Sequence, residues 1–211
     1  MAGTVSTSTV STSTVPLPRR PVEPGAPGAR RRGTGRWSAV RRWYEEELGW
    51  ATLPGSPPRL PAGVCFDVLD VPAGAGARAL RHLAPGSPVA LRGDRMALLV
   101  AAGGAEELPG LLDWLEWGAV ALDVRALGAG DALEAPLPPG WPLPSAGSLE
   151  GAAMWLRPPG PGREVGASLP AMPGMGREGN APDLVRLVDT VAMCCHRIRL
   201  RRECGGEPVA P

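Results

Sequence analysis

Lysine is missing from this chain: all 22 cationic side chains counted as Lys or Arg are arginines. Beside so much Ala, Gly and Pro, that pattern reads as a GC-rich coding bias. Arginine content by itself therefore does not point to nucleic acid, well as the guanidinium suits phosphate. An excess of one charge is missing too. With 22 basic and 21 acidic residues the formal net charge is +1, so no whole-protein field draws the chain to DNA or an anionic membrane. Charge is only locally uneven, basic at Arg30-Arg31-Arg32 and over residues 197–202, acidic at Glu45-Glu46-Glu47. The four cysteines (Cys65, Cys194, Cys195 and Cys204) have no C-x-x-C spacing. Cys65 lies in an apolar run and is expected to be a small buried hydrophobe, with all thiols reduced in a cytoplasm. The start, MAGTVSTSTVSTSTV, lacks the apolar core of a secretory signal. The longest apolar run, residues 96–102, falls far short of the ~20 needed to cross a bilayer. A cytoplasmic protein without membrane contact is expected. With only His82 and His196, and no G-x-S-x-G elbow, a hydrolase triad has no support. Cys194-Cys195-His196 and Cys204 are metal-ligand types, but neighbours on a helix point about 100° apart and do not converge.

What is present is organised around residues 64–80, VCFDVLDVPAGAGARAL. An apolar run carrying Asp67 and Asp70 breaks at Pro72 and passes through Gly74-Ala75-Gly76 into a helical pattern. A buried strand running into a glycine turn is where α/β proteins commonly place ligands. Before it, residues 1–35 carry a short Thr/Ser/Val repeat and a Pro/Gly/Arg run, expected to be a disordered tail. Trp37, Val40, Tyr44 and Leu48 then recur at helical spacing over residues 36–49. After the strand at about 64–71 come a helix at 77–83 and a hairpin of 88–91 and 96–102 about Arg92-Gly93-Asp94-Arg95. The Arg-Gly-Asp within that turn reads as chance. A helix is expected over 106–117 and strands over 119–124, 132–137 and 152–156. Asn180 is expected to cap a helix starting near Pro182, with Leu184, Leu187, Val188, Val191, Cys195 and Ile198 as its apolar stripe. The pattern gives an α/β (α+β) domain, a mixed sheet packed by helices, over residues 36–170. A linker at 171–180, an amphipathic helix at 181–203 and a tail at 204–211 follow.

Two arrangements carry possible chemistry. Gly74 to Ala79, GAGARA, fits G-x-G-x-x-A between a strand and a helix, and Asp94 follows the next apolar run where a dinucleotide fold puts its ribose-binding acid. The plainer reading of those glycines is a structural turn. Asp67, Asp70 and Asp123 fall on strands expected to be adjacent, where Asp67 and Asp123 also read as ordinary strand-face residues. Asp70 and Asp123 end apolar runs, where two acids can share a divalent metal with nucleotide phosphates. Trp114 and Trp117 are expected in the core. Exposed beside Arg92, Arg95 and Arg125, they would instead form a stacking surface for single strands.

The order of pieces then resembles a known family. Gly49-Trp50-Ala51-Thr52-Leu53-Pro54 precedes an apolar strand ending in Leu69-Asp70-Val71, the hairpin PVALRGDRMALLV follows, and LDVRALGAGDALEAPLPPG closes the series. Over about residues 43–170 this resembles the N-terminal domain of bifunctional DNA primase–polymerases, of the archaeo-eukaryotic primase superfamily. The resemblance implies an RNA-recognition-like sheet that adds nucleotides to a strand with Mg²⁺ or Mn²⁺. It also implies an Asp-x-Asp motif, a hairpin His and a third Asp. Asp70 matches the first acid and Asp123 the third, with Arg125 following as in the family. Pro72 stands at the second acid and Met96 at the His. The expectation is a degenerate primase–polymerase-like domain, catalytically inactive, that binds nucleic acid or a replication-related partner. Its candidate metal residues are Asp70 and Asp123, with Mg²⁺ or Mn²⁺ possible if the site is retained, and its candidate nucleic-acid contacts are Arg92, Arg95 and Arg125. Two alternatives stay open: a structural or regulatory α/β protein without ligand, and a dinucleotide-binding protein using Gly74, Gly76 and Asp94.

Overall fold

Pro27, with its φ already helical and its N–H not needed in a first turn, opens helix α1 (Pro27–Arg42). It belongs to a computed structural model that describes residues 27–142, 152–160, 164–172 and 183–205. The helix starts well before the expected Arg36, because Ala29 and the arginines 30–32 are strong helix formers despite the Pro/Gly-rich surroundings. The rest of the expected tail, 1–26, lies outside the described residues. A π-helical turn, Trp43–Glu47, prolongs α1 and seats Tyr44 and then Leu48 in the core.

The chain then makes β1 (Arg59–Pro61), β2 (Asp67–Pro72), α2 (Ala73–Ala79), the hairpin β3 (Val89–Arg92) and β4 (Arg95–Val100), and α3 (Gly104–Trp114). Next come β5 (Arg125–Leu127), β6 (Ala132–Glu134), β7 (Met154–Arg157) and the 22-residue α4 (Leu184–Gly205). The expected hairpin forms: Arg92 pairs with Arg95 across Gly93-Asp94, and Gly93 takes the positive φ (58°) that a two-residue loop demands of its first position. The stripe expected on α4 packs as read, from Leu184 to Cys195, with Ile198 at its margin. Asp183 caps that helix, its Oδ1 accepting from Val185 N at 2.8 Å, while Asn180 lies outside the described residues.

All pairings in the five-stranded sheet are antiparallel, in the order β5-β2-β4-β3-β7. The segment β2-α2-β3-β4-α3-β5 is thus a β-α-β-β-α-β unit with β4 inserted between β2 and β3, the split arrangement of ferredoxin-like α+β folds. One sheet face (Leu69, Val71, Leu98, Val100) packs on α2, α3 and α4. The other (Val68, Ala90, Leu99) packs on α1 residue Val40 and on Tyr44, Trp50, Leu60 and Leu137. Both faces of β2 are therefore covered over most of its length, which is why its sequence is mainly apolar apart from Asp67 and Asp70.

Three expectations are corrected. The run at 119–124 is not a strand. The carbonyls of Ala121 and Asp123 face Arg199 and Cys195 of α4 instead of a neighbouring strand, and pairing with β2 begins only at Arg125. Cys65 is exposed, because it precedes β2 and does not share the strand's burial. Gly74 and Gly76 form no turn. Ala73 N donates to Asp94 O at 2.7 Å, so α2 starts directly after Pro72 and contains both glycines.

Gly76 lies where α2 touches β4: a Cβ there would meet the Met96 side chain, down to its own Cβ at 3.0 Å. At Gly74 a Cβ would find only Ile198 Cδ1, at an ordinary 3.6 Å. Gly76→Val is therefore expected to cost about 2–3 kcal/mol by overpacking. Gly74→Ala should be neutral or gain up to about 1 kcal/mol of helix propensity. Urea denaturation of the two variants checks the contrast.

His82, just after α2, is tied to α4 by Thr190 Oγ1 at 2.8 Å and accepts from Arg81 Nε at 3.0 Å through the same Nε2. Burial, then Arg81 and Arg186, hold its pKa below the ordinary 6.5 against the opposite pull of Asp183 and Asp189. The unfolded chain thus takes up this proton at a higher pH than the folded one. The stabilisation is full above about pH 6.5 and is lost as pH falls through the folded value. Wild type should lose more Tm than His82→Gln between pH 7.5 and 5.

Candidate functional site

The strand pleat gathers most of the candidate residues. Asp70 stands opposite Ala97 on β4 and Arg125 on β5, Arg95 opposite Pro72 and Arg92, and Ala90 opposite Ala97. Cross-strand partners share a face, so Asp70, Arg92, Arg95 and Arg125 all point away from the helix layer. The floor between them is made of alanines (Ala90, Ala97, with Ala132 and Ala153 at the sides), too small to fill the space above the sheet. A cleft of about 550 Å³ results, rimmed by Asp70, Arg92, Asp94, Arg95, Arg125 and Glu134. That volume suits a small ligand or a segment of a chain.

Arg95 is the centre of its electrostatics. Its Nε donates to Asp70 Oδ1 at 3.1 Å, its Nη2 to the Asp70 carbonyl at 2.7 Å and its Nη1 to Asp123 Oδ1 at 2.5 Å. Partial burial alone would lower its pKa; the bonds to Asp70 and Asp123 outweigh this and raise it. Arg92 lies directly across from Arg95, a like-charge pairing that costs energy. Glu134 at 3.4 Å offsets the Arg92 charge as Asp70 and Asp123 offset that of Arg95. Arg125 is exposed and has no ion-pair partner among the described residues.

Asp70 and Asp123 are thus brought together, but by a guanidinium. A divalent cation needs several oxygens in near-octahedral array, and here the two carboxylates already share a resident cation. Among the described residues no group of three or more His, Cys, Asp or Glu side chains converges for a metal. The residues present do not fit Mg²⁺ or Mn²⁺. Two positions of the resemblance take on a physical meaning. Pro72, at the second acid, has Arg95 as its cross-strand partner, so a cationic side chain arises where an anionic one is implied. Met96, at the His, points through to the opposite face and packs on Gly76.

The dinucleotide reading of Gly74, Gly76 and Asp94 is overturned. Both glycines are inside α2, and β2 and β3 are separated by the antiparallel β4, whereas that chemistry needs a parallel β-α-β crevice. Asp94 instead sits in the hairpin loop at the cleft rim. Trp114 and Trp117 do not flank the arginines, since α3 lies on the helix side of the sheet. Trp114 is 73% exposed, contrary to the core expectation, and Trp117 Nε1 donates to Asp189 at 3.2 Å with its ring against His196. Cys195 is buried, its thiol pushed up to about 11 by desolvation, then by Asp123 and Cys194. Asp67 is structural: 1% exposed, it accepts from Gly63 N at 2.9 Å and from Ala105 N, at the start of α3, at 3.0 Å. Glu134 was not foreseen, and its only trace in sequence is an acid inside an expected strand.

Arg95→Met leaves two carboxylates facing one another without their cation. The expected outcome is a loss of about 1–3 kcal/mol at pH 7.5, measurable by chemical denaturation. Comparison with known proteins adds no relative: no protein family, no curated protein and no solved structure matches this chain.

Proposed function

We propose that this chain is a catalytically silent primase–polymerase-like domain that holds single-stranded nucleic acid across the cleft. The observation that carries the reading is the convergence of Asp70, Arg92, Arg95 and Arg125 on one face of a split β-α-β-β-α-β sheet. Of these, Asp70 and Arg125 are positions that the resemblance assigns, and they are cross-strand partners. That pairing of Asp70 with Arg125 supports the resemblance.

The chemistry follows from the charge pattern. Arg125 and the exposed flank of Arg92 offer guanidinium donors to backbone phosphates, the commonest contacts to a nucleic acid. The alanine floor leaves room for a sugar or base to lie on the sheet. Arg95 is spent on the two acids, so it fixes the floor's charge and contributes little to a ligand. Nucleotide transfer by the mechanism that the resemblance implies would need those acids free, and they are not.

The test is fluorescence anisotropy with labelled oligo-dT of 20 nucleotides, in EDTA and in Mn²⁺. Binding independent of metal is expected, weakened about tenfold by Arg92→Ser/Arg125→Ser. Primer synthesis with Mn²⁺ and deoxynucleotides should give no product. Incorporation by wild type would overturn the silent assignment, and an unchanged affinity in the double variant would overturn the cleft as the binding face.

A further inference from the structure

A second groove lies on the other side of the molecule, between α2 and α4 in the helix layer. It is small, about 150 Å³, and its charged lining is Arg78 of α2 and Arg81 of the turn just after it, with Arg197 and Arg201 from α4. No carboxylate lines it. All four arginines are exposed, and Arg78, Arg197 and Arg201 have no ion-pair or hydrogen-bond partner among the described residues. Arg81 has one, the neighbouring His82. The groove exists because Gly74 brings no side chain to the helix crossing, leaving Ile198 to floor it.

Four like charges facing each other over a short gap repel, and among the described residues no ion pair offsets them. The α4 pair can be credited in part to the helix dipole, since Arg197 and Arg201 lie toward its C-terminal end. Arg78, in the last turn of α2, is favourably placed by that helix's dipole too, but the dipole acts within about one turn and does not offset the repulsion between the two rows. We infer that this groove is a docking track for the phosphate backbone of a nucleic acid, bound without regard to sequence. Arg78 and Arg81, across the end of α2, and Arg197 and Arg201 within α4 are each about one turn apart, so they form two short facing rows ~5–6 Å in step. Such rows match an anion that repeats along an extended chain. The gap is far below the ~300 Å³ at which pockets begin to bury a ligand group, and no aromatic ring lines it. It therefore takes up a line of charges and neither a base nor a peptide side chain. Guanidinium forks pair bidentately with phosphate oxygens.

This inference concerns a different face and different residues from the cleft, so the two stand or fall separately. The experiment is a salt titration of oligo-dT binding to the full chain between 50 and 200 mM KCl. Wild type is compared with Arg78→Ser/Arg201→Ser, with the same two positions changed to Lys, and with the cleft variant Arg92→Ser/Arg125→Ser. Each phosphate contact on a single strand adds about 0.7 to the slope of log K against log salt. The groove double Ser variant should lower that slope by about 1.4, so that fourfold more salt costs about sevenfold less affinity than in wild type. The Lys variant should keep the slope. All four positions are on the surface, and an unchanged Tm verifies that each variant is folded. A slope that falls only in the cleft variant overturns the groove while leaving the cleft reading intact. A slope that falls only in the groove variant does the reverse. Competition by poly-glutamate as effective as by unlabelled oligo-dT would reassign the groove to acidic protein segments and overturn the nucleic-acid assignment.

Discussion

The register between β2 and β4 is the constraint on which everything else hangs. Six consecutive pairs, from Asp67↔Val100 to Pro72↔Arg95, decide which side chains meet the helices and which meet the cleft. A slip of one residue would exchange the two sets completely. Leu69, Val71, Met96 and Leu98 would lose α2, α3 and α4, and Asp70 with Arg95 would be forced into an apolar layer. Moving Asp67 would also remove both backbone donors that its buried carboxylate now satisfies. The register is thus fixed from three sides: by apolar burial on two faces and by one fully bonded acid.

Within that frame the site is a matter of charge compensation. Arg95 is bound to Asp70 and Asp123, and Glu134 attends Arg92, so most of the cleft's charge is spent internally. On the far side of the sheet the arginines of α2 and α4 have no such compensation. The molecule therefore has one polar cleft near electrical balance and one compact patch that is not balanced at all. A net charge of +1 conceals this division, which is why composition did not point to it.

Much of the fold was legible because its signals are local. The hairpin is announced by Gly93 between two apolar runs, and α4 by an apolar stripe that lacks any competing pattern. What was misread depends on contacts distant in sequence. Residues 119–124 look like a strand, yet their apolar side chains, Leu122 and Val124, are held against the helix-side core without a ladder. The glycines of α2 look like a turn, yet Gly76 is there because β4 comes too close for a Cβ. The order of segments points to Asp70, Asp123 and Arg125, but not to how they interact. That Arg95 bridges the two acids follows from the pairing of Arg95 with Pro72, and no periodicity reveals which residue faces which across two strands.

Tyr44, the one tyrosine in the chain, donates to Pro136 O at 2.6 Å and accepts from Trp155 Nε1 at 2.9 Å. These links join residues 92 and 111 positions apart. The helix-side layer, by contrast, contains the local steps β2-α2 and β3-β4. Closing loops of about a hundred residues is slow relative to such local steps. Both layers depend on late residues: Trp155 ties Tyr44 on the cleft side, and α4 completes the helix side. A chain cut off before β7 would therefore lack both the Trp155 tie to Tyr44 and the α4 cover of the opposite sheet face.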